Sequence, residues 1–380
     1  MYQLRGGRQP DVSALAHVLA HHGAEIGAEI TEPLLFAASG GIGASYRLSE
    51  FTHDGSKPLR LGFRAHPREP LTWLKSTVDR LKLEADIETT GRAKTAARKL
   101  SAELDAGTPA IVLPDRYTAG YWHLPPSADG AGGHFVVAYR ENGKVLLDDR
   151  NREPLPVERA VLDAARDRIG ADKNVTLLVR SGEFGDLADA VRRGLEDCVK
   201  QKSDWAKWAK LLTDRKAGKG WPSVFRDRRG LVGALLSVAE AVDPAGMTGG
   251  HLRDLFADSL DEAAELLEIP ELAEQATRWR AIGQRWLDLG DLALSGDNTE
   301  FAWLRDLSRT VANAVRDGKD AVENANELQR LRAHYDAEAP FTEEEAGRLF
   351  TDMAILLTDI HRAESESLTA LSEVVAGARK

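Results

Sequence analysis

Gly132-Gly133-His134-Phe135-Val136-Val137-Ala138-Tyr139, then Glu141-Asn142-Gly143, then Lys144-Val145-Leu146-Leu147-Asp148-Asp149 is the stretch on which the fold turns. Two short apolar runs rich in β-branched residues, separated by Asn-Gly, read as a β-hairpin. In an antiparallel hairpin the start of the first strand lies beside the end of the second. His134 is therefore predicted to neighbour one aspartate of the 148–149 pair. An imidazole beside a carboxylate is the base-and-orienter half of a nucleophilic triad, because the carboxylate fixes the tautomer and stabilises the cationic ring. A structural His–Asp pair at a strand end satisfies the same pattern, and at this level both readings stand.

Working outward, Ala110–Leu113 is a strand stopped by Pro114, and Val175–Arg180 is a further strand. Leu59–Phe63 reads as a short strand. Leu71–Leu81, Lys94–Ala106 and Glu158–Arg168 carry helical spacing. Asp11–His22 is predicted helical from Val12, Leu15, Val18 and Leu19, with Asp11 as its cap and Gly23 just past its end. Thr31–Gly43 reads as a turn-rich stretch. Helix followed by antiparallel strand predicts an α+β domain. Beyond Gly185 only helical periodicity remains: Leu187–Leu212, Leu231–Val242, Leu252–Leu267, Leu272–Leu294, Glu300–Lys319 and Phe341–Ala376. The expected division is an α+β domain over 1–183 and an all-α domain over 184–380.

Composition excludes several classes. The 380 residues are 43% hydrophobic and 29% charged, which suits two folded domains and is too apolar for disorder. The net charge of −10 gives no basic footprint for nucleic acid. The longest apolar stretch, Leu231–Val242, falls short of the ~20 residues of a membrane span. Met1–Gly7 lacks the apolar core of a secretory signal. The single Cys198 excludes an internal disulfide and fits a reducing compartment. A cytoplasmic protein without membrane or nucleic-acid partners is expected.

Among residues that could carry chemistry, His17 and His21 share a helix face, but no further ligands are marked, so no metal site is predicted. Gly40-Gly41-Ile42-Gly43 lacks dinucleotide-fingerprint spacing. It reads as a tight turn, with a second role in letting backbone approach a ligand, which makes Gly40 and Gly41 candidate substrate-binding residues. Lys207 and Lys210 flank Trp208 on a helix; Lys210 is a candidate for an anionic substrate group, against the plainer reading of a solvated charge over a packing face. Arg226, Arg228 and Arg229 form a small basic cluster that reads either as a docking patch for an acidic protein or as a solvated loop.

Ala14–Gly23, Ile30–Phe36 leading to the glycine loop, Thr108–Tyr117, Gly133–Val137 and Asp149-Arg150 together resemble the N-terminal domain family of the butirosin-biosynthesis acyltransferase BtrH. Gly249–Ala264 resembles the helical domain that usually follows it. The resemblance implies a papain-like cysteine-protease fold, and transfer of acyl groups from a carrier-protein thioester to an amine. It also implies a nucleophilic cysteine at the start of the first helix. That position is Pro10 here, preceded by Gln9, with no cysteine within 180 residues. Proline supplies no nucleophile. Ser13 lies nearly one helical turn away and is kept as a substrate-binding candidate, and Cys198 reads as a small core residue.

His134, Asp149 and Asp115 are therefore the expected acid–base residues, with no cofactor implied. The leading expectation is a natural-product biosynthesis enzyme that acts on a carrier-tethered aminoacyl intermediate without a covalent step, by deprotonating an amine and closing a ring. Direct acyl or aminoacyl transfer to an amine is the second expectation. The third is a non-catalytic subunit that binds the carrier-bound intermediate or pairs with another biosynthetic protein.

Overall fold

A computed structural model describes residues 2–24, 30–50, 57–130, 132–170, 172–201, 203–216, 218–295 and 298–377. In chain order the elements are α1 (Pro10–His21), α2 (Glu32–Ala38), β1 (Ile42–Leu48), β2 (Leu59–Arg64), α3 (Pro70–Leu81), β3 (Ala85–Glu88), α4 (Ala93–Asp105), β4 (Ala110–Val112), α5 (Arg116–Ala119), β5 (Val136–Asn142), β6 (Lys144–Asp148), β7 (Leu155–Glu158), α6 (Arg159–Arg168) and β8 (Thr176–Val179). Helices follow: α7 (Leu187–Cys198), α8 (Trp205–Thr213), α9 (Trp221–Val224), α10 (Leu231–Val242), α11 (Arg253–Leu266), α12 (Glu271–Ala293), α13 (Thr299–Arg316), α14 (Val322–Glu338) and α15 (Glu343–Gly377). Among the described residues no strand lies beyond β8. The architecture is α+β followed by helices.

Six strands form one antiparallel sheet in the order β3-β8-β4-β5-β6-β7. The β5–β6 hairpin pairs Val137 with Asp148 and Ala138 with Leu147, with an irregularity before Arg140. Gly143, at φ 73°, makes the turn in a left-handed conformation that costs glycine nothing. Alternate residues serve opposite faces. Val112, Val136, Ala138, Val145 and Leu147 share a core with Leu100 and Leu104 of α4 and Leu162 of α6. On α1, every residue from Pro10 to Leu19 is buried. A helix buried all round must find partners for each polar side chain. Asp11, Ser13 and His17 each have one, and those partners define the site below.

The chain divides into two compact units. One comprises Met1–Gly40, Glu69–Gly194 and Val311–Val322; the other comprises Gly41–Arg68, Leu195–Thr310 and Glu323–Lys380. The units are interleaved in sequence, whereas a single cut after residue 183 treats each as contiguous: the antiparallel β1–β2 hairpin belongs with helices α8–α15, and a short piece following Thr310 belongs with the six-stranded sheet. Within the second unit, Arg253 and Glu364 form a buried ion pair (Nε–Oε1 2.8 Å, Nη2–Oε2 3.0 Å). The Trp205 and Trp286 indoles also donate to Glu364 (3.0 and 2.8 Å), and Arg253 donates to the carbonyls of Gly43, Phe63 and His251. The charges are thus paired and hydrogen-bonded in the interior, the condition under which burial of both is tolerated.

Several local expectations are corrected. Thr31–Gly43 is not all turn: Thr31 Oγ1 accepts from the Leu34 amide, Pro33 sits in the first turn, and α2 follows. The N-cap of α1 is Gln9, whose Oε1 accepts from the Val12 amide at 2.7 Å; Pro10 with its fixed φ already occupies the first helical position, so Asp11 is inside the helix. Strands β1, β3 and β7 and helix α14 carry too weak a periodicity to read. Leu187–Leu212 is two helices, not one.

Candidate active site

The Val137–Asp148 pair is the last rung of the β5–β6 ladder, so the residues flanking it emerge together at one end of the sheet. His134 Nε2 lies 2.8 Å from Asp149 Oδ2. The choice between the two aspartates follows from strand alternation: Asp149 shares the parity of Leu147 and meets His134, while Asp148 points the other way and meets His17 of α1.

Asp149 Oδ2 also accepts from the Trp122 indole (2.8 Å) and the Tyr121 hydroxyl (3.0 Å), while its Oδ1 faces Arg150 Nε at 3.6 Å. Burial raises the pKa of Asp149, but the charge and hydrogen bond of His134, then Arg150 and Trp122, outweigh it and hold the carboxyl well below the usual carboxylate range. The Tyr121 hydroxyl is pushed far up, by burial first and by the Asp149 charge second. Asp149 is thus a carboxylate with three hydrogen-bonding neighbours on one oxygen, His134 Nε2 among them. The other ring nitrogen, His134 Nδ1, is buried and has no hydrogen-bond partner among the described residues.

The first turn of α1 is tied to the same place. Asp11 Oδ1 accepts from the Phe135 amide at 2.8 Å. Asp115 bridges to Gly133, and a Cβ at Gly133 would come within 2.0 Å of the Pro114 carbonyl oxygen, so only glycine permits that approach. Asp115 Oδ1 caps α5, accepting from the Thr118 amide and hydroxyl at 2.9 Å each, whereas its Oδ2 is buried with no hydrogen-bond partner among the described residues. Arg116 is lowered by burial, and the carboxylates of Asp115, Asp11 and Asp149 oppose that shift, which places three acidic groups within electrostatic reach of one guanidinium.

The start of α1, where the resemblance implies a nucleophile, is filled with committed groups. Glu32 Oε1 accepts from the amides of Arg8 (2.9 Å) and Gln9 (2.8 Å) and from the Ser13 hydroxyl (2.9 Å). Pro10 has no amide hydrogen, and the Val12 amide is capped by Gln9. Cys198 is buried in the other unit, where burial pushes its thiol up to about 12. The reactive thiolate is therefore suppressed.

His134, Asp149, Asp115 and the first turn of α1 with Ser13 all belong to the sheet-containing unit. Gly40 and Gly41 make the turn from α2 into β1. A Cβ on Gly41, at φ 63°, would lie 2.9 Å from Phe256 and 3.2 Å from Cys198, so packing alone accounts for that glycine. Lys210 is exposed on α8, outward of the buried Trp205 and Trp208, in the helical unit. His17 is buried with its Nδ1 2.6 Å from Asp148 Oδ2. Tyr121, Trp122, Arg116, Glu32 and the His17–Asp148 pair escape a sequence reading. Only the Gly120-Tyr121-Trp122 run carries a signal, a helix-ending glycine followed by two amphipathic rings.

The fold and this pair define an α+β unit with an imidazole held on a carboxylate at a strand end. Residues 9–150 match the family described as Butirosin biosynthesis protein H, N-terminal, and residues 162–324 match a Domain of unknown function, DUF4872. The chain thus carries a BtrH N-terminal domain followed by a DUF4872 domain. No curated protein matches the sequence.

Proposed function

We propose that this protein is an enzyme of natural-product biosynthesis in which His134, oriented by Asp149, removes a proton from an amine without forming a covalent acyl-enzyme. The biosynthetic context rests on the family's description. The observation that carries the chemistry is the division of the imidazole: Nε2 is fixed on a carboxylate, and Nδ1 has no hydrogen-bond partner among the described residues, so that a ring donating Nε2–H keeps its lone pair on Nδ1. A base in that state accepts a proton and returns it, and the low-lying Asp149 carboxylate stabilises the imidazolium formed in between. Ser13 is held by Glu32 and Cys198 by its burial, which leaves proton transfer and positioning as the means of catalysis. Those means suit intramolecular attack, where holding amine and electrophile together supplies most of the acceleration. Ring closure on a carrier-tethered aminoacyl group is the reading we favour, with Asp115 Oδ2 accepting from the ammonium beforehand. The amine attacks the thioester carbonyl, and the C–N bond forms as the C–S bond breaks. The carrier thiol leaves with the proton that His134 took from the amine.

The order of elements, with a buried helix opening against the strand that carries the histidine, supports a papain-like arrangement with position 10 as the former nucleophile. Pro10→Cys should then create a thiol alkylated by iodoacetamide at least ~10-fold faster than Cys198, and the gain should vanish in the double variant with His134→Ala.

Turnover of an aminoacyl thioester on a carrier protein tests the main reading. His134→Ala and Asp149→Asn should each lower it by roughly 10²–10⁴-fold, and intact-mass spectrometry should find no acylated protein. An acyl group trapped on Ser13 or Cys198 would restore covalent transfer. Full turnover in both variants would leave a binding role.

A further inference from the structure

We propose that Tyr2 and Asn151 are positioning residues that hold Asp149 on His134; their role in catalysis rests on the reading given above. Asp149 lies one residue past the last ladder pair, so strand alternation sets the side it faces but no ladder pairing holds its backbone. Its amide donates instead to Asn151 Oδ1 at 2.8 Å. Asn151 is fully buried, and its Nδ2 donates to the Val315 carbonyl at 3.1 Å, while the Arg152 amide donates to the Arg316 carbonyl at 3.0 Å. Both carbonyls belong to the short segment that joins the sheet-containing unit from the far end of α13.

The other side of Asp149 is tied to the N-terminal segment. Asp148 Oδ2 accepts from the Tyr2 hydroxyl at 2.7 Å, beside its contact with His17, and the Tyr2 ring stacks on Tyr139 with centroids 4.5 Å apart. Arg150 Nη1 donates to the Arg8 carbonyl at 2.8 Å. Gly7 lets that segment run flush: a Cβ there would lie 2.1 Å from Ser13 Oγ. Arg150 itself sits at φ 63°, a left-handed conformation that a non-glycine residue keeps only when its surroundings over-determine it. Residues 148, 150, 151 and 152 are therefore each anchored to a remote segment. The Asp149 carboxylate is held by Tyr121, Trp122 and His134, and the course of its backbone is set by the anchors of its four neighbours.

The indole N–H of Trp122 reports on Asp149 directly, because it donates to the same oxygen as His134. The test uses the full chain with ¹⁵N-labelled tryptophan, the resonance being assigned by its loss in Trp122→Phe. Asn151→Ala removes both ends of the amide bridge. Tyr2→Phe removes one hydroxyl and keeps the stacked ring, so it remains informative if the asparagine variant folds poorly. A Leu81→Ala variant, at the end of α3 in the same unit and outside the core cluster against which Tyr121 packs, supplies a destabilised control. The proposal expects the Trp122 indole signal to shift, and its hydrogen exchange to quicken by about tenfold or more, in Tyr2→Phe and Asn151→Ala but not in Leu81→Ala. An unmoved signal in Tyr2→Phe would overturn it, as would an equal change in Leu81→Ala. The readout needs no turnover: a shifted signal alongside a fully active His134→Ala would refute the proposed chemistry and leave the positioning role intact.

Discussion

At the residue scale, two adjacent aspartates take opposite duties because a strand presents successive side chains to opposite faces. Asp149 carries the charge that the site depends on, and its depressed pKa makes a pH prediction. A folded-state pKa below the unfolded one adds stability that is present above the ordinary carboxylate value of about 4 and is lost as the pH falls through the lower, folded value. Acid unfolding of the native protein should therefore include a component below about pH 4 that Asp149→Asn lacks, measurable as the difference between the two Tm–pH curves. Cys198 makes the contrasting case. Its thiol, pushed up to about 12 by burial and hydrogen-bonded to the Ile42 carbonyl, should resist alkylation in the native protein and react only on unfolding. Cys198→Ala should cost about 1 kcal/mol of packing and leave turnover unchanged.

At the scale of single elements, α1 shows why a helix buried all round resists a sequence reading of its polar residues. The apolar spacing of Val12, Leu15, Val18 and Leu19 marks the helix, but the partners of Asp11, Ser13 and His17 lie just before β5, on α2 and on β6, from 19 to 131 residues away in sequence. The short α2 is missed for a different reason: at seven residues it offers less than two turns of periodicity, and its start depends on one threonine cap. Thr31→Ala should cost about 1 kcal/mol in chemical denaturation. Close approach of elements is set by glycine as well. A Cβ at Gly194 of α7 would sit 2.0 Å from the Ala37 carbonyl oxygen, so Gly194→Ala should destabilise by roughly 1–3 kcal/mol despite its better helix propensity. Gly91→Ala, with open space around it, should be nearly neutral.

At the scale of the whole molecule, the buried Arg253–Glu364 pair, with the Trp205 and Trp286 indoles, ties four helices of the helical unit, α8, α11, α12 and α15, to the β1–β2 hairpin. Glu364→Ala should cost about 3–5 kcal/mol, because it strands a buried guanidinium and two indole donors together; a thermal melt of the intact chain reads this directly. No helix among the described residues is long and apolar enough to cross a membrane. The sequence by itself determined the α+β class, the β5–β6 hairpin, most helices and the proximity of His134 to the 148–149 pair, since periodicity and an Asn-Gly turn are local properties of the chain. It also shows Pro10 at the position where the resemblance implies a cysteine. Only the tertiary structure decided what fills the start of α1 and what packs against Gly41. It also decided that the two units exchange segments. Those outcomes depend on contacts between residues tens to hundreds of positions apart, and no local pattern encodes such contacts.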